Sequence, residues 1–121
     1  EVVFVYEESI MSQKILITGA AGFIPVNDDK LEDFFYIYVL ESLKDGKRYV
    51  GYTKDLSSRI EAHDKGRVRS TKYRRPLKLI YFEGCMVRED ALKREKYLKT
   101  FYGGMFIKKR LNSYFTGQVE K

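Results

Sequence analysis

FFYIYVLESLKDGKRYVGYT, residues 34–53, reads as two β-rich runs of aromatic and branched residues on either side of Asp45-Gly46. Such runs around an Asp-Gly pair predict a β-hairpin, with strands near residues 35–42 and 47–52. The loop length decides where Tyr38 and Tyr49 lie. A two-residue turn at Asp45-Gly46 pairs Lys44 with Lys47 and leaves the two tyrosines on one face but roughly 13 Å apart. A four-residue loop, Leu43 to Gly46, keeps the face and sets Tyr49 opposite Leu40, one diagonal step of about 7 Å from Tyr38. Two tyrosines serving one site favour the wider loop, whereas each taken alone is more often a core or surface aromatic.

Downstream, KDLSSRIEAHDKG has helical spacing, with Asp55 as N-cap, Leu56, Ile60 and His63 along one side, and Gly66 as the stop. Arg59 and His63 are four apart and share a face. RVRSTKYRR follows as a basic loop, and Pro76 opens a third strand that runs to Glu83. A second helix is expected over roughly residues 88–101, then a break at Gly103-Gly104, then a last helix over MFIKKRLNSYF. The order is ββαβαα, an α/β (α+β) fold in which helices cover a three-stranded sheet. On the second helix Ala91, Leu92, Leu98 and Tyr102 mark the inward stripe, and Glu95 falls within it. A carboxylate there needs a partner, and Arg59 is the candidate for a salt bridge.

Upstream, PVNDDKLED (residues 25–33) combines turn formers and acids without an apolar period and reads as a linker. The chain therefore divides into an N-terminal appendage and linker (1–33), a folded domain (34–115) and a short tail (116–121). Charge divides with it. Residues 1–35 hold two lysines against seven acids, a balance of −5, while the other 86 residues hold 21 Lys and Arg against 10 acids, a balance of +11. A domain that basic attracts polyanions, nucleic acid foremost. Six of the cations, Arg67, Arg69, Lys72, Arg74, Arg75 and Lys78, cluster between the first helix and the third strand, a candidate contact for the DNA backbone. Cys85 is the only cysteine, so no internal disulfide forms, and a reducing interior suits it. No apolar run approaches the roughly 20 residues that span a bilayer, and no basic leader or cleavage site is evident. The expectation is a cytoplasmic protein with no membrane partner.

The constellation resembles the GIY-YIG endonuclease family, in its small standalone bacterial branch. The resemblance runs from Phe34 to Phe115 and is carried by Tyr36-Ile37-Tyr38, with Tyr36 in the place of the usual Gly, then Tyr49-Val50-Gly51, Arg59, His63 and Glu95. It implies a three-stranded antiparallel sheet flanked by helices and hydrolysis of a DNA phosphodiester with one divalent cation, Mg²⁺ or Mn²⁺. By the same resemblance Glu95 is the metal ligand, Arg59 steadies the scissile phosphate, Tyr38 and Tyr49 are the motif tyrosines that position or deprotonate water, and His63 assists the proton transfer. Tyr52 stands where some members have Lys, neighbouring Lys54 does not inherit that role, and Asn112 is a loose candidate for a late site Asn. A non-catalytic nucleic-acid-binding module with a degenerate site is the alternative.

A second resemblance lies within residues 11–24. KILITGAAGFI is similar to the first strand and Gly-rich turn of nucleotide-sugar epimerases. The third small residue of such a turn is replaced by Pro25, whose ring and missing N–H prevent close approach of the backbone, and no helix or second strand of a dinucleotide unit follows. NAD is therefore not expected as a cofactor. A strand-like or poorly ordered appendage is the expectation, and a chain start at Met11 or a gene fusion would each account for the segment.

Overall fold

A computed structural model describes residues 2–4, 17–19, 22–24 and 34–117. Its strands are β1 (Val2–Phe4), β2 (Ile17–Gly19), β3 (Gly22–Ile24), β4 (Phe35–Ser42), β5 (Arg48–Thr53) and β6 (Leu77–Cys85). Its helices are α1 (Leu56–Asp64), α2 (Arg88–Leu98), α3 (Phe101–Arg110) and α4 (Asn112–Thr116). The three long strands form the expected antiparallel sheet, with β4 between β6 and β5, and β1 pairs antiparallel on the outer edge of β6. The linker at 25–33 and the last residues of the tail, 118–121, lie outside the described residues.

Within the epimerase-like segment, β2 and β3 pair antiparallel, with Ile17 opposite Ile24 and Gly19 opposite Gly22. In a dinucleotide unit the first strand runs through its Gly-rich turn into a helix instead.

The hairpin that opens the domain takes the wider loop. Leu40 pairs with Tyr49, Ser42 N–H donates to the Lys47 carbonyl at 2.9 Å, and Gly46 N–H donates to the Ser42 carbonyl at 2.8 Å. Gly46 has φ 73°, the left-handed backbone that glycine adopts without a Cβ penalty. The Ser42 hydroxyl ties the loop inward by donating to the Arg74 carbonyl at 2.7 Å.

Strand β4 is buried on both faces, and alternate residues build two cores. Tyr38 and Leu40 pack with Leu56 and Ile60 of α1 and with Leu79 and Phe82 of β6. Ile37 and Val39 pack on the other face with Ala91 and Leu98 of α2, Ile107 of α3 and Leu111. A bulge in β6, where Val39 faces Tyr81 but Leu40 faces Leu79, turns both Ile80 and Tyr81 toward that second core.

Helix α1 starts as its sequence predicts, with the Asp55 carboxylate accepting from Ser58 N–H at 3.1 Å, and it buries Leu56, Ile60 and His63. The second helix departs from expectation. It ends at Leu98, and Thr100 caps a new helix by accepting from Gly103 N–H at 3.1 Å. Gly103 is thus inside α3 instead of marking a break, because a Cβ there would overlap the Tyr97 carbonyl and the Leu98 backbone. Two helices meet at backbone distance at that point. Tyr102 consequently sits on the first turn of α3, 71% exposed, and not on the inward stripe.

Candidate active site

The cluster begins at the centre of the sheet. Tyr38 is opposite Gly51 on β5, and a Cβ at Gly51 would overlap the Tyr38 ring and hydroxyl. The tyrosine crosses its neighbouring strand because that residue has no side chain. Its hydroxyl lies 2.8 Å from Nε2 of His63 and accepts from Nε of Arg59 at 3.3 Å. His63 Nδ1 in turn lies 2.7 Å from Oγ1 of Thr71. Tyr38, His63 and Thr71 are wholly buried, while Arg59 and Tyr49 are half-buried. The Tyr49 ring packs against both, 6.3 Å from Tyr38 and 5.2 Å from His63 between centroids.

Replacing Gly51 with alanine should drive the Tyr38 ring out of this arrangement at an overpacking cost of about 1–3 kcal/mol, read as a lower urea midpoint. An unchanged midpoint would mean that the ring yields without strain.

Electrostatics follow from this burial. Burial, reinforced by the Arg59 charge, lowers the His63 pKa to about 4, so the ring is neutral at neutral pH. Burial pushes the Tyr38 phenol up to about 12 against the opposing pull of Arg59. The hydrogen bond with Tyr38 raises the Arg59 pKa, with a smaller contribution from Tyr49. Since Arg59 already donates to the Tyr38 oxygen, the arrangement that uses every proton has Tyr38 donating to Nε2 and the His63 Nδ1–H donating to Thr71.

A histidine with a lowered folded pKa binds its proton more readily in the unfolded chain. Its contribution to stability is present above the unfolded value near 6.5 and is lost as pH falls toward the folded value of about 4. Denaturation across that window should show a loss of as much as about 3 kcal/mol that a His63→Gln variant lacks. Parallel pH profiles for the two proteins would contradict this.

Glu95 stands apart from the cluster. Its helix packs over β4 and β5 from the opposite face of the sheet, and its carboxylate pairs with Lys99 at 3.0 Å. The ion pair expected from periodicity therefore forms with Lys99, one turn away, while Arg59 binds Tyr38 on the other face of the sheet. One open groove along the β5 edge nevertheless has both Tyr49 and Lys99 in its lining, together with Arg48, Thr100 and Lys108. Glu95 itself is not part of this lining, whereas its partner Lys99 is. The Glu95 side chain is 20% exposed.

Among the described residues no group of three or more His, Cys, Asp or Glu side chains is arranged to hold a metal ion. A lone carboxylate does not fit a zinc site. It fits a magnesium ion that keeps several waters and takes its remaining ligands from substrate phosphate, provided that Lys99 swings aside.

The other predicted residues divide. Arg67, Arg69, Lys72 and Arg75 are exposed on the loop after α1. Arg75 braces that loop by donating to the carbonyls of Lys72 and Asp64. Arg74 is held by Asp45 at 3.6 Å, and Lys78 lies over the Tyr114 ring on the far face of the sheet, so these two do not join the exposed four. Tyr36 is accommodated edge-on to Phe82 with centroids 6.1 Å apart. Tyr52 stacks on Phe35 and Lys54 covers the same ring, away from the tyrosine cluster. Asn112 opens α4 and lines an adjoining groove beside Phe101 and Tyr102. Thr71 was hidden from sequence reasoning inside a polar, basic loop with no periodicity to mark a buried position.

Comparison with known proteins agrees with the motif order. The family model for the GIY-YIG catalytic domain matches residues 34–105. The UPF0213 protein of Staphylococcus saprophyticus is 46% identical over 70 residues, covering 57% of this chain and 84% of that protein. The UPF0213 protein of Staphylococcus aureus strain Mu50 is 40% identical over 70 residues, with the same coverage. No solved structure matches the chain significantly.

Proposed function

The chain belongs to the GIY-YIG family, and on that premise we propose that residues 34–115 form a divalent-metal-dependent DNA endonuclease acting in the cytoplasm, with residues 1–33 an appendage outside the site. The observation that carries the reading is the chain Thr71, His63, Tyr38, Arg59, in which buried polar groups serve to orient one half-buried guanidinium.

Tyr38 engages Nε of Arg59, so a phosphate would meet the terminal nitrogens of the fork, where charge growing on the phosphoryl oxygens is stabilised. The neutral His63 ring fixes the direction of the Tyr38 O–H, and Thr71 fixes the tautomer of the ring. Tyr49, one of the residues lining the groove, is the phenol that positions the attacking water. Burial makes Tyr38 the weaker candidate for taking a proton from water at neutral pH. Glu95 holds the cation, Mg²⁺ or Mn²⁺, which when bound supplies Lewis-acid stabilisation of a phosphoryl or leaving oxygen. The exposed cations Arg67, Arg69, Lys72 and Arg75 contact the DNA backbone without reading sequence. No helix among the described residues is long and apolar enough to cross a membrane.

The test is incubation with plasmid, flap and splayed DNAs in Mg²⁺ or Mn²⁺, with EDTA as control. Arg59→Ala should lower cleavage by about 10²–10³-fold, the loss typical of removing a donor to developing charge. DNA binding with no cleavage of any substrate would favour the alternative, a binding module with a degenerate site.

A further inference from the structure

The first turn of α3 carries two large aromatic side chains that the fold does not use. Phe101 is 75% exposed and Tyr102 is 71% exposed, and their rings meet edge to face at 5.6 Å. Exposing two adjacent aromatic rings forgoes apolar burial, and a patch of that kind on a small domain marks an interaction surface.

Its surroundings say what covers it. The groove beside Phe101 and Tyr102 is also lined by Met105, Lys108 and Lys109, and no acid contributes to its lining among the described residues. It shares Arg48, Gly104 and Lys108 with the groove that holds Tyr49 and Lys99. The first groove also holds Glu41, whose carboxylate accepts from the Tyr114 hydroxyl, so a path lined mainly by cations leads from the candidate active site to the aromatic pair. A second copy of this chain would bring like charges face to face there, whereas a polyanion with planar rings meets both features of the surface. Base stacking on aromatic side chains tolerates any sequence, because every base has a π-face.

We propose that Phe101 and Tyr102 form a stacking platform for unpaired bases of the DNA strand leaving the active-site groove, so that the substrate is a duplex bearing a single-stranded branch. The platform rests on the nuclease reading and adds to it a substrate class. Phe101 and Tyr102 take no part in the cluster around Tyr38, so their replacement leaves the chemical groups in place.

Binding of labelled DNA in EDTA separates recognition from cleavage. A duplex, the same duplex with an unpaired arm, and the arm alone are titrated by fluorescence anisotropy with wild type, F101A/Y102A and F101L/Y102L, the folding of each variant being checked by its thermal melt. The alanine pair should weaken binding of the armed duplex and of the free arm by about 10-fold or more, with less than about twofold change for the plain duplex. The leucine pair, apolar but without a π-face, should behave like the alanine pair. Equal losses on plain and armed duplex, or no loss on either, overturn the platform. So does recovery by the leucine pair, and so does a concentration-dependent dimer in sedimentation that the alanine pair abolishes. A wild type that cleaves DNA while the alanine pair binds every substrate unchanged removes the platform alone, whereas a wild type that binds no DNA removes the nuclease reading with it.

Discussion

Glu95→Gln should bind branched DNA as the wild type does and cleave it at least about 10³-fold more slowly, since a metal's stabilisation of transition-state charge is worth several kcal/mol. The amide keeps the size of the carboxylate and loses the negative charge that holds a hard cation. Lys99 pairs with this carboxylate at 3.0 Å and is itself exposed. A pair one helical turn apart is worth only about 0.3–0.5 kcal/mol at the surface, and with its lysine exposed a divalent ion displaces it readily. Lys99→Ala should therefore lower the Mg²⁺ concentration needed for half-maximal cleavage while leaving the maximum rate close to that of the wild type. Single-turnover cleavage across a Mg²⁺ titration reads both effects. Equal nicking by wild type and Glu95→Gln would remove Glu95 from the site.

Arg94→Met should destabilise the domain by about 3–5 kcal/mol, the cost of breaking a buried ion pair from one side. Glu83 is wholly buried on β6, and Arg94 of α2 grips it with Nε to Oε1 at 2.9 Å and its terminal nitrogen to Oε2 at 2.9 Å. The Tyr81 hydroxyl donates to the same carboxylate at 2.9 Å. Burial, with the Glu83 carboxylate adding to it, raises the pKa of Tyr81, so that hydroxyl keeps its proton and remains a donor. Methionine removes the guanidinium and leaves the carboxylate charged in a low-dielectric setting. Adding Glu83→Gln should recover a large part of the loss, because a neutral amide is far cheaper to bury than a charge. Arg94→Lys should recover less, since an ammonium cannot supply the two-pronged grip. Urea denaturation of the four proteins measures this, and an Arg94→Met midpoint within error of wild type would show that the pair carries no net stability.

The cluster around Tyr38 was more legible in the sequence than this structural pair. Tyr38 and Tyr49 flank a turn signal, Arg59 and His63 are one helical turn apart, and the requirement that two tyrosines serve one site selected the four-residue loop that the structure has. Glu83 stood at the expected end of its strand, where an exposed carboxylate is unremarkable, but β6 continues to Cys85 and encloses it. Gly103-Gly104 was misleading because glycine has two uses. It interrupts helices, and it also allows backbones to touch, which is its use at Gly103 against Leu98.

Element order, the aromatic and branched run of β4, the Asp55 cap and the helical placement of His63 were determined by the sequence itself, since each depends on residues within a few positions of one another. The partners of the buried polar groups were decided by tertiary structure. Tyr38 and His63 are 25 positions apart, and Glu83 and Arg94 are 11 apart. Such pairs form only when the sheet sets the distance between α1 and β4 on one face and between α2 and β6 on the other. The same sheet keeps Arg59 from Glu95, because α1 and α2 pack on its opposite faces, and it leaves the carboxylate to Lys99, which lies one turn along from it.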